Sequence, residues 1–189
     1  SIGIIFWNFL NDMVEESTSI FVFSQHTLLN SNNSINILIF KLVLKHILII
    51  LCNSVIYLFL LFYLNLDIDV KVLSFLVSFL IFIIFSFSTV YIIAIISLRF
   101  RDFPNLIKNI LKILFFITPI FWNASILGIK EFYIKFNPLF YLFNIIRKPL
   151  LGEDFSSQEL LISSLFTLLL FIILIILLNF SYKKITKWI

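Results

Sequence analysis

The chain has 189 residues and a formal net charge of +4, and 61% of its residues are hydrophobic whereas only 13% are charged. Soluble domains contain about 45–50% apolar and about 25% charged residues, so this composition indicates a protein embedded in lipid. It excludes a disordered chain and argues against a soluble enzyme. The single cysteine excludes an internal disulfide. Basic residues occur in short groups between apolar runs, as in loops between membrane spans, so no nucleic-acid partner is predicted.

The first 36 residues predict the end of one span followed by a short helix. Residues 1–14 are largely apolar but too short to cross about 30 Å of hydrocarbon. They are therefore interpreted as the tail of a span whose beginning is missing, in an N-terminally truncated chain. Polar residues then interrupt the apolar run, and residues 15–36 predict a weakly amphipathic cytoplasmic helix between two spans. The alternative for this stretch is a solvated turn capped by Ser and Asn side chains.

Three later stretches are apolar and long enough to cross a bilayer. They are residues 37–64, 72–98 and 160–180. Basic groups lie near one end of each: Lys41 and Lys45 flank the uncharged core of the first, Arg99 and Arg101 follow the second, and Lys183 follows the third. Loops rich in Lys and Arg face the cytoplasm, so placing these groups on one side gives a single consistent topology.

The segment between the second and third of these spans is irregular. Residues 106–122 predict one more span, although it carries Lys108 and Lys112 and contains Pro119. Residues 123–158 then contain two short apolar pieces, neither of which is long enough to span. Short helices at membrane depth are tolerated where protein covers them or where they line a water-filled path, so a re-entrant gate is one interpretation. A long extracellular loop with amphipathic helices on the membrane surface is the other.

Catalytic, metal and cofactor sites are not predicted. The three glycines are too few and too scattered for a phosphate-binding loop. The two histidines, His26 and His46, occur in different local settings, which disfavours a metal cluster. Glu15 and Glu16 are adjacent, so on a helix their side chains point about 100° apart and do not form a catalytic carboxylate pair. The remaining functions are binding and passage.

Aromatic and basic side chains in the apolar segments are the candidates for a path. The rings of Tyr and Trp favour an interface or a wet path, and aromatic faces can stack against sugars. Five are singled out: Trp7, Tyr57, Trp122, Tyr133 and Tyr141. Arg147 and Lys148 lie at the outer end of the short apolar pieces within residues 123–158. A charge inside a membrane region is a site hypothesis by default.

Four sequence pieces in this order and spacing resemble the permease subunit of type-2 ABC exporters, closest to the branch that exports O-antigen, other surface polysaccharides or teichoic acids. They are LRFRDFP at 98–104, LFFITPIFW at 114–122, NPL at 137–139 and RKPLLG at 147–152. Upstream the likeness is looser: Cys52-Asn53 stands where O-antigen members often carry His-Asn, and the usual basic-Pro step is absent before the first complete span.

The resemblance implies roles for individual residues. The helix that contains Glu15, Glu16 and His26 would correspond to the coupling helix that docks on a separate ATP-binding subunit. Arg99, Arg101 and Asp102 would form a cytoplasmic turn.

The gate residues implied by the resemblance lie further along the chain. Thr118, Pro119 and Trp122 would mark the outer end of the following helix. Asn137, Pro138 and Arg147 would belong to short re-entrant gate helices, with Tyr141 among the aromatics that support a glycan. A basic group of the path could meet the phosphates of a polyprenyl-pyrophosphate-linked glycan.

The sequence therefore predicts an all-α polytopic helical bundle, with residues 1–189 as one permease domain and short re-entrant helices near the outer face. The resemblance implies a homodimer in the bacterial inner membrane that moves lipid-linked polysaccharide outward. ATP and Mg²⁺ would bind a partner ABC ATPase, and no cofactor would bind this chain. Three alternatives remain: a type-2 ABC exporter of drugs or small lipids, an intramembrane transferase of envelope assembly, and a structural subunit without a path.

Overall fold

The computed structural model describes residues 2–20, 35–63, 70–100, 102–120 and 136–188. Six helices form this part of the chain, and it contains no strand, which confirms the predicted all-α class. They are α1 (Ile2–Ser17), α2 (Ile35–Tyr63), α3 (Val72–Arg99), α4 (Phe103–Ile117), α5 (Pro138–Leu150) and α6 (Ser157–Trp188). Several residues singled out in the sequence lie outside the described part: His26, Arg101, Trp122 and Tyr133.

Three of these helices are long and apolar enough to cross a membrane. The qualifying segments are Asn36–Val55, Val72–Arg99 and Ser157–Phe180. The second and third agree with the predicted spans. The first segment begins at Asn36 and includes Lys41 and Lys45. The sequence had instead predicted that these two lysines flank an uncharged core.

The predicted span 106–122 differs from the observed helix. Helix α4 has 15 residues and ends at Ile117, so it is about 22 Å long and shorter than the hydrocarbon layer. It ends there because the residue before a proline is driven into an extended conformation, and Thr118, which precedes Pro119, has φ −87° and ψ 128°. It begins at Phe103, where Pro104 fits the first turn.

Helix α1 extends further than the predicted boundary at residue 14. It continues to Ser17, so Glu15 and Glu16 lie in its last turn. The hydroxyl of Ser17 donates a 2.6 Å hydrogen bond to the carbonyl of Val14, which satisfies one of the free carbonyls at the end of the helix.

The core lies where α1, α3 and α5 meet. Phe82 of α3 is fully buried, and its ring contacts the rings of Phe6 and Phe9 of α1 and of Phe143 of α5, with centroids 5.6, 5.6 and 6.1 Å away. Helix α6 packs along α3, and the Phe85 and Phe166 rings are 5.7 Å apart. Edge and tilted ring pairs at these distances stabilise a core beyond the burial of apolar area.

Candidate functional site

The residues predicted to form a gate meet where α4 ends and α5 begins. The side-chain amide of Asn137 donates a 2.9 Å hydrogen bond to the hydroxyl of Thr118, which is completely buried. The amide oxygen of Asn137 also accepts a 3.0 Å bond from the backbone N–H of Leu139 and so caps α5. Pro138 occupies the first turn, where a missing N–H costs nothing. One side chain therefore starts α5 and ties it to the end of α4.

Helix α5 is packed inside the bundle. Leu142, Ile145 and Ile146 are fully buried, and the ring of Phe143 contacts Phe82, which is ten residues from the first residue of α3. Ten residues of helix rise about 15 Å, so the middle of α5 lies about that far from the start of α3. This burial favours a short helix covered by protein over a helix that lies on the membrane surface.

Trp7 joins α4 and α5 to the core. Its ring lies 5.6 Å from the ring of Phe115 in α4 and 6.0 Å from that of Phe143 in α5, and the residue is only 4% exposed. The expectation that Trp7 lies at an interface or on a wet path is therefore wrong: the ring fills the junction between α1, α4 and α5. Of the other aromatics, Tyr141 is half-buried and its ring contacts that of Phe140 at 5.2 Å.

The C-terminal end of α5 is held by the carboxylate of Glu159, which was not among the predicted site residues. Glu159 of α6 accepts bonds of 2.9 and 2.7 Å from the ammonium of Lys148 and a 3.1 Å bond from the amide of Asn144. Its side chain is 10% exposed. Burying a carboxylate is costly unless it is paired and hydrogen-bonded, and Glu159 meets both conditions.

Glu159 also belongs to a capping box that the sequence could have revealed. Its carboxylate accepts a 2.8 Å bond from the N–H of Ser156, and the Ser156 hydroxyl accepts a 3.2 Å bond from the N–H of Glu159. A serine followed three residues later by glutamate before an apolar run is the signature of this motif. It predicts the start of α6, whereas the ion pair with Lys148 depends on the tertiary fold.

The end of α5 also contacts the start of α3. The backbone N–H of Lys71 donates a 3.1 Å bond to the carbonyl of Pro149, and the Lys71 ammonium pairs with Asp154. The chain then turns at Gly152, whose φ of 79° lies in the left-handed region that glycine adopts without strain. We call this the Lys71 end of the bundle.

Arg147 lies one residue before Lys148, on the last turn of α5, and is half-buried. Within the described ranges it forms no salt bridge, whereas Lys148 is paired with Glu159. A guanidinium without a carboxylate partner retains its capacity for bidentate binding of a phosphate.

The residues predicted for coupling and for the cytoplasmic turn lie elsewhere in the bundle. Glu16 accepts bonds of 2.8 and 2.7 Å from the Lys45 ammonium, and its carboxylate is 3.5 Å from the ring of the buried His46. Thus Glu16 connects α1 to α2. Arg99 ends α3 with its guanidinium 5.5 Å from the centre of the Phe100 ring, and Asp102 is exposed immediately before α4. We call this the Arg99 end, and the positive-inside pattern predicts that it is cytoplasmic.

The sequence matches the ABC-2 type transporter family over residues 1–151. The chain belongs to this family, and it is therefore the membrane component of a type-2 ABC transporter. No curated protein matches the chain. Membership implies an ABC ATPase as partner and assigns the chain itself to transport. The three spanning helices agree with a location in a membrane.

Proposed function

We propose that this chain is the permease of an ATP-driven exporter that moves a lipid-linked polysaccharide across the bacterial inner membrane. Two copies would form the path, and an ABC ATPase would dock on the Arg99 end and supply the energy. The four pieces at 98–104, 114–122, 137–139 and 147–152 support the polysaccharide branch. ATP and Mg²⁺ would bind the ATPase.

The observation that carries the proposal is the contrast between two neighbouring basic residues on α5. Lys148 is neutralised by Glu159, but Arg147 has no carboxylate partner among the described residues. A lipid-linked glycan carries phosphate between lipid and sugar, and the Arg147 guanidinium at the Lys71 end, which pairs with no carboxylate of the described residues, suits such a group.

The roles of the other residues follow from this proposal. The part-buried hydrogen bond between Thr118 and Asn137 would hold the inner end of the gate, with Pro119 and Pro138 setting the backbone on each side. Tyr141, half-buried on α5, offers a ring on which a sugar can stack. Glu15 at the end of α1 precedes the segment that would dock on the ATPase. Arg99 and Asp102 form the turn between α3 and α4 at the same end.

The test is export complementation in the native host. Deletion of the full-length gene should remove a long surface polysaccharide and cause lipid-linked glycan to accumulate inside, and the wild-type gene should restore export. Normal surface glycan in the deletion strain would overturn the polysaccharide assignment and favour an exporter of drugs or small lipids.

The gate assignment is tested separately with two substitutions at one position. Arg147→Glu should block export while the ATPase still copurifies, because the phosphate then meets a like charge. Arg147→Lys keeps the charge and should export at a reduced rate, since it loses the bidentate geometry. Full export by Arg147→Glu would show that Arg147 lies outside the path.

A further inference from the structure

An apolar groove lies between α2, α3 and α6, away from the gate. Its volume is about 480 Å³, and its wall includes Ile37 and Phe40 of α2, Phe87 of α3, and Leu174 and Ile175 of α6. Leu174 is 2% exposed and forms the floor, whereas Ile37, Phe40 and Ile175 are 40–56% exposed and form the rim. The groove is therefore open to the surroundings of the bundle.

The two polar side chains in the wall are bonded to each other. The hydroxyl of Tyr91 donates a hydrogen bond to the side-chain oxygen of Asn36, and the two residues lie together in the wall. The other lining side chains are hydrocarbon. A sugar or a nucleotide would leave its own polar groups unpaired here, which is costly, so the groove suits an apolar chain.

The depth of the groove in the bilayer follows from α3. Tyr91 is nineteen residues after Val72, a rise of about 28 Å, close to the thickness of the hydrocarbon layer. Val72 starts α3 at the Lys71 end, so Tyr91 lies near the opposite boundary, on the side of Arg99. All three helices that line the groove contain spanning segments, and the groove thus lies in the hydrocarbon of that leaflet.

A positive charge lies beside the groove. Lys41 follows Ile37 by four residues, so the two share a face of α2, and Lys41 is exposed. Side chains on a helix lean toward its N-terminus, and lysine extends its ammonium toward the headgroups. That direction leads to Asn36 and the membrane boundary. The cytoplasmic leaflet contains anionic lipids, whose phosphates complement this charge.

We propose that the groove binds one acyl chain of an anionic glycerophospholipid, with the headgroup phosphate beside Lys41. The site is formed by the transporter's own spans and is independent of the cargo. It fixes a lipid between α2 and α6 toward the Arg99 end, and α2 contacts α1 further along through Lys45 and Glu16. Membrane lipids of this charge would then bind directly to the helices that lead to the ATPase side.

The test uses the purified full-length protein in nanodiscs that contain phosphatidylglycerol with a photoreactive acyl chain. Mass spectrometry should locate cross-links on the groove wall. Ile175→Trp should lower labelling there about tenfold, because displacing two methylene groups of the chain is enough for that ratio. Ile172→Trp is the matched control: Ile172 is 50% exposed on the same helix but is not part of the wall, and labelling should persist.

A second arm tests the charge. Lys41→Glu should abolish the preference for phosphatidylglycerol over phosphatidylcholine while the apolar wall still takes a chain. Even labelling along all exposed positions of α6 would overturn the proposal. Cross-links from the groove wall to protein instead of lipid would also overturn it, because they would assign the groove to a second copy or another segment of the chain. Labelling by a polyprenyl phosphate alone would assign it to a lipid carrier instead.

Discussion

The Lys148 ammonium of α5 lies 2.7 Å from a carboxylate oxygen of Glu159 in α6, across the junction where the 13-residue α5 meets the 32-residue α6. This pair and the bond from Asn137 to Thr118 hold the two ends of α5. A 13-residue helix is marginal in isolation, so its position depends on these contacts and on its buried face.

The buried pair should contribute more to stability than the exposed pair nearby. Glu159→Gln leaves Lys148, 26% exposed, without its counter-charge and should lower the free energy of unfolding by about 3 kcal/mol. Asp154→Asn removes the partner of Lys71, but Asp154 is 73% exposed, so the loss should be below about 1 kcal/mol. Unfolding in detergent with increasing SDS measures both.

A charge exchange provides the control for this prediction. Lys148→Glu combined with Glu159→Lys keeps a pair in place and should recover part of the stability lost in either single variant. If Glu159→Gln and Asp154→Asn destabilise the protein equally, the Glu159 network is not the main contact between α5 and α6.

Removal of the hydroxyl of Thr118 should weaken the contact between the end of α4 and the start of α5. Thr118→Val preserves the shape but leaves the half-buried amide of Asn137 without its acceptor, which costs about 1 kcal/mol. Thr118→Ser retains the hydroxyl and should lose less. Thermal unfolding of the purified variants measures the difference, and export should fall in the same order. A Thr118→Val variant as stable as the wild type would argue against the hydrogen bond.

Long apolar runs were sufficient to predict α3 and the spanning part of α6, because uncharged apolar stretches of that length are typical of helices that cross a membrane. The end of α4 was predicted five residues too late, since hydropathy continues through Trp122 while the backbone is interrupted at Thr118 by the following proline. Pairs such as Lys45 with Glu16 join residues 29 apart in the sequence. No local pattern indicates such partners, and only the fold brings them together.

Gly3 should not tolerate a methyl group, although alanine is the better helix former by about 1 kcal/mol. A Cβ at Gly3 would lie 2.6 Å from the carbonyl oxygen of Ile120, a backbone atom just beyond α4. Gly3→Ala should therefore separate α1 from the end of α4 and lower the melting temperature. Ile4→Ala, at the neighbouring exposed position, should change it little. A higher melting temperature for Gly3→Ala would show that the two segments are further apart.

The two adjacent glutamates at the end of α1 should respond differently to charge reversal. Glu15 is half-exposed and forms no salt bridge within the described residues, so Glu15→Lys should weaken copurification of the ATPase without lowering stability. Glu16→Lys should instead destabilise the contact between α1 and α2, because it places two ammonium groups together beside the buried His46. Adding Lys45→Glu to Glu16→Lys restores opposite charges and should recover stability. If the double variant remains as unstable as Glu16→Lys, the pair is not what joins the helices. If Glu15→Lys copurifies normally, the ATPase docks elsewhere at the Arg99 end.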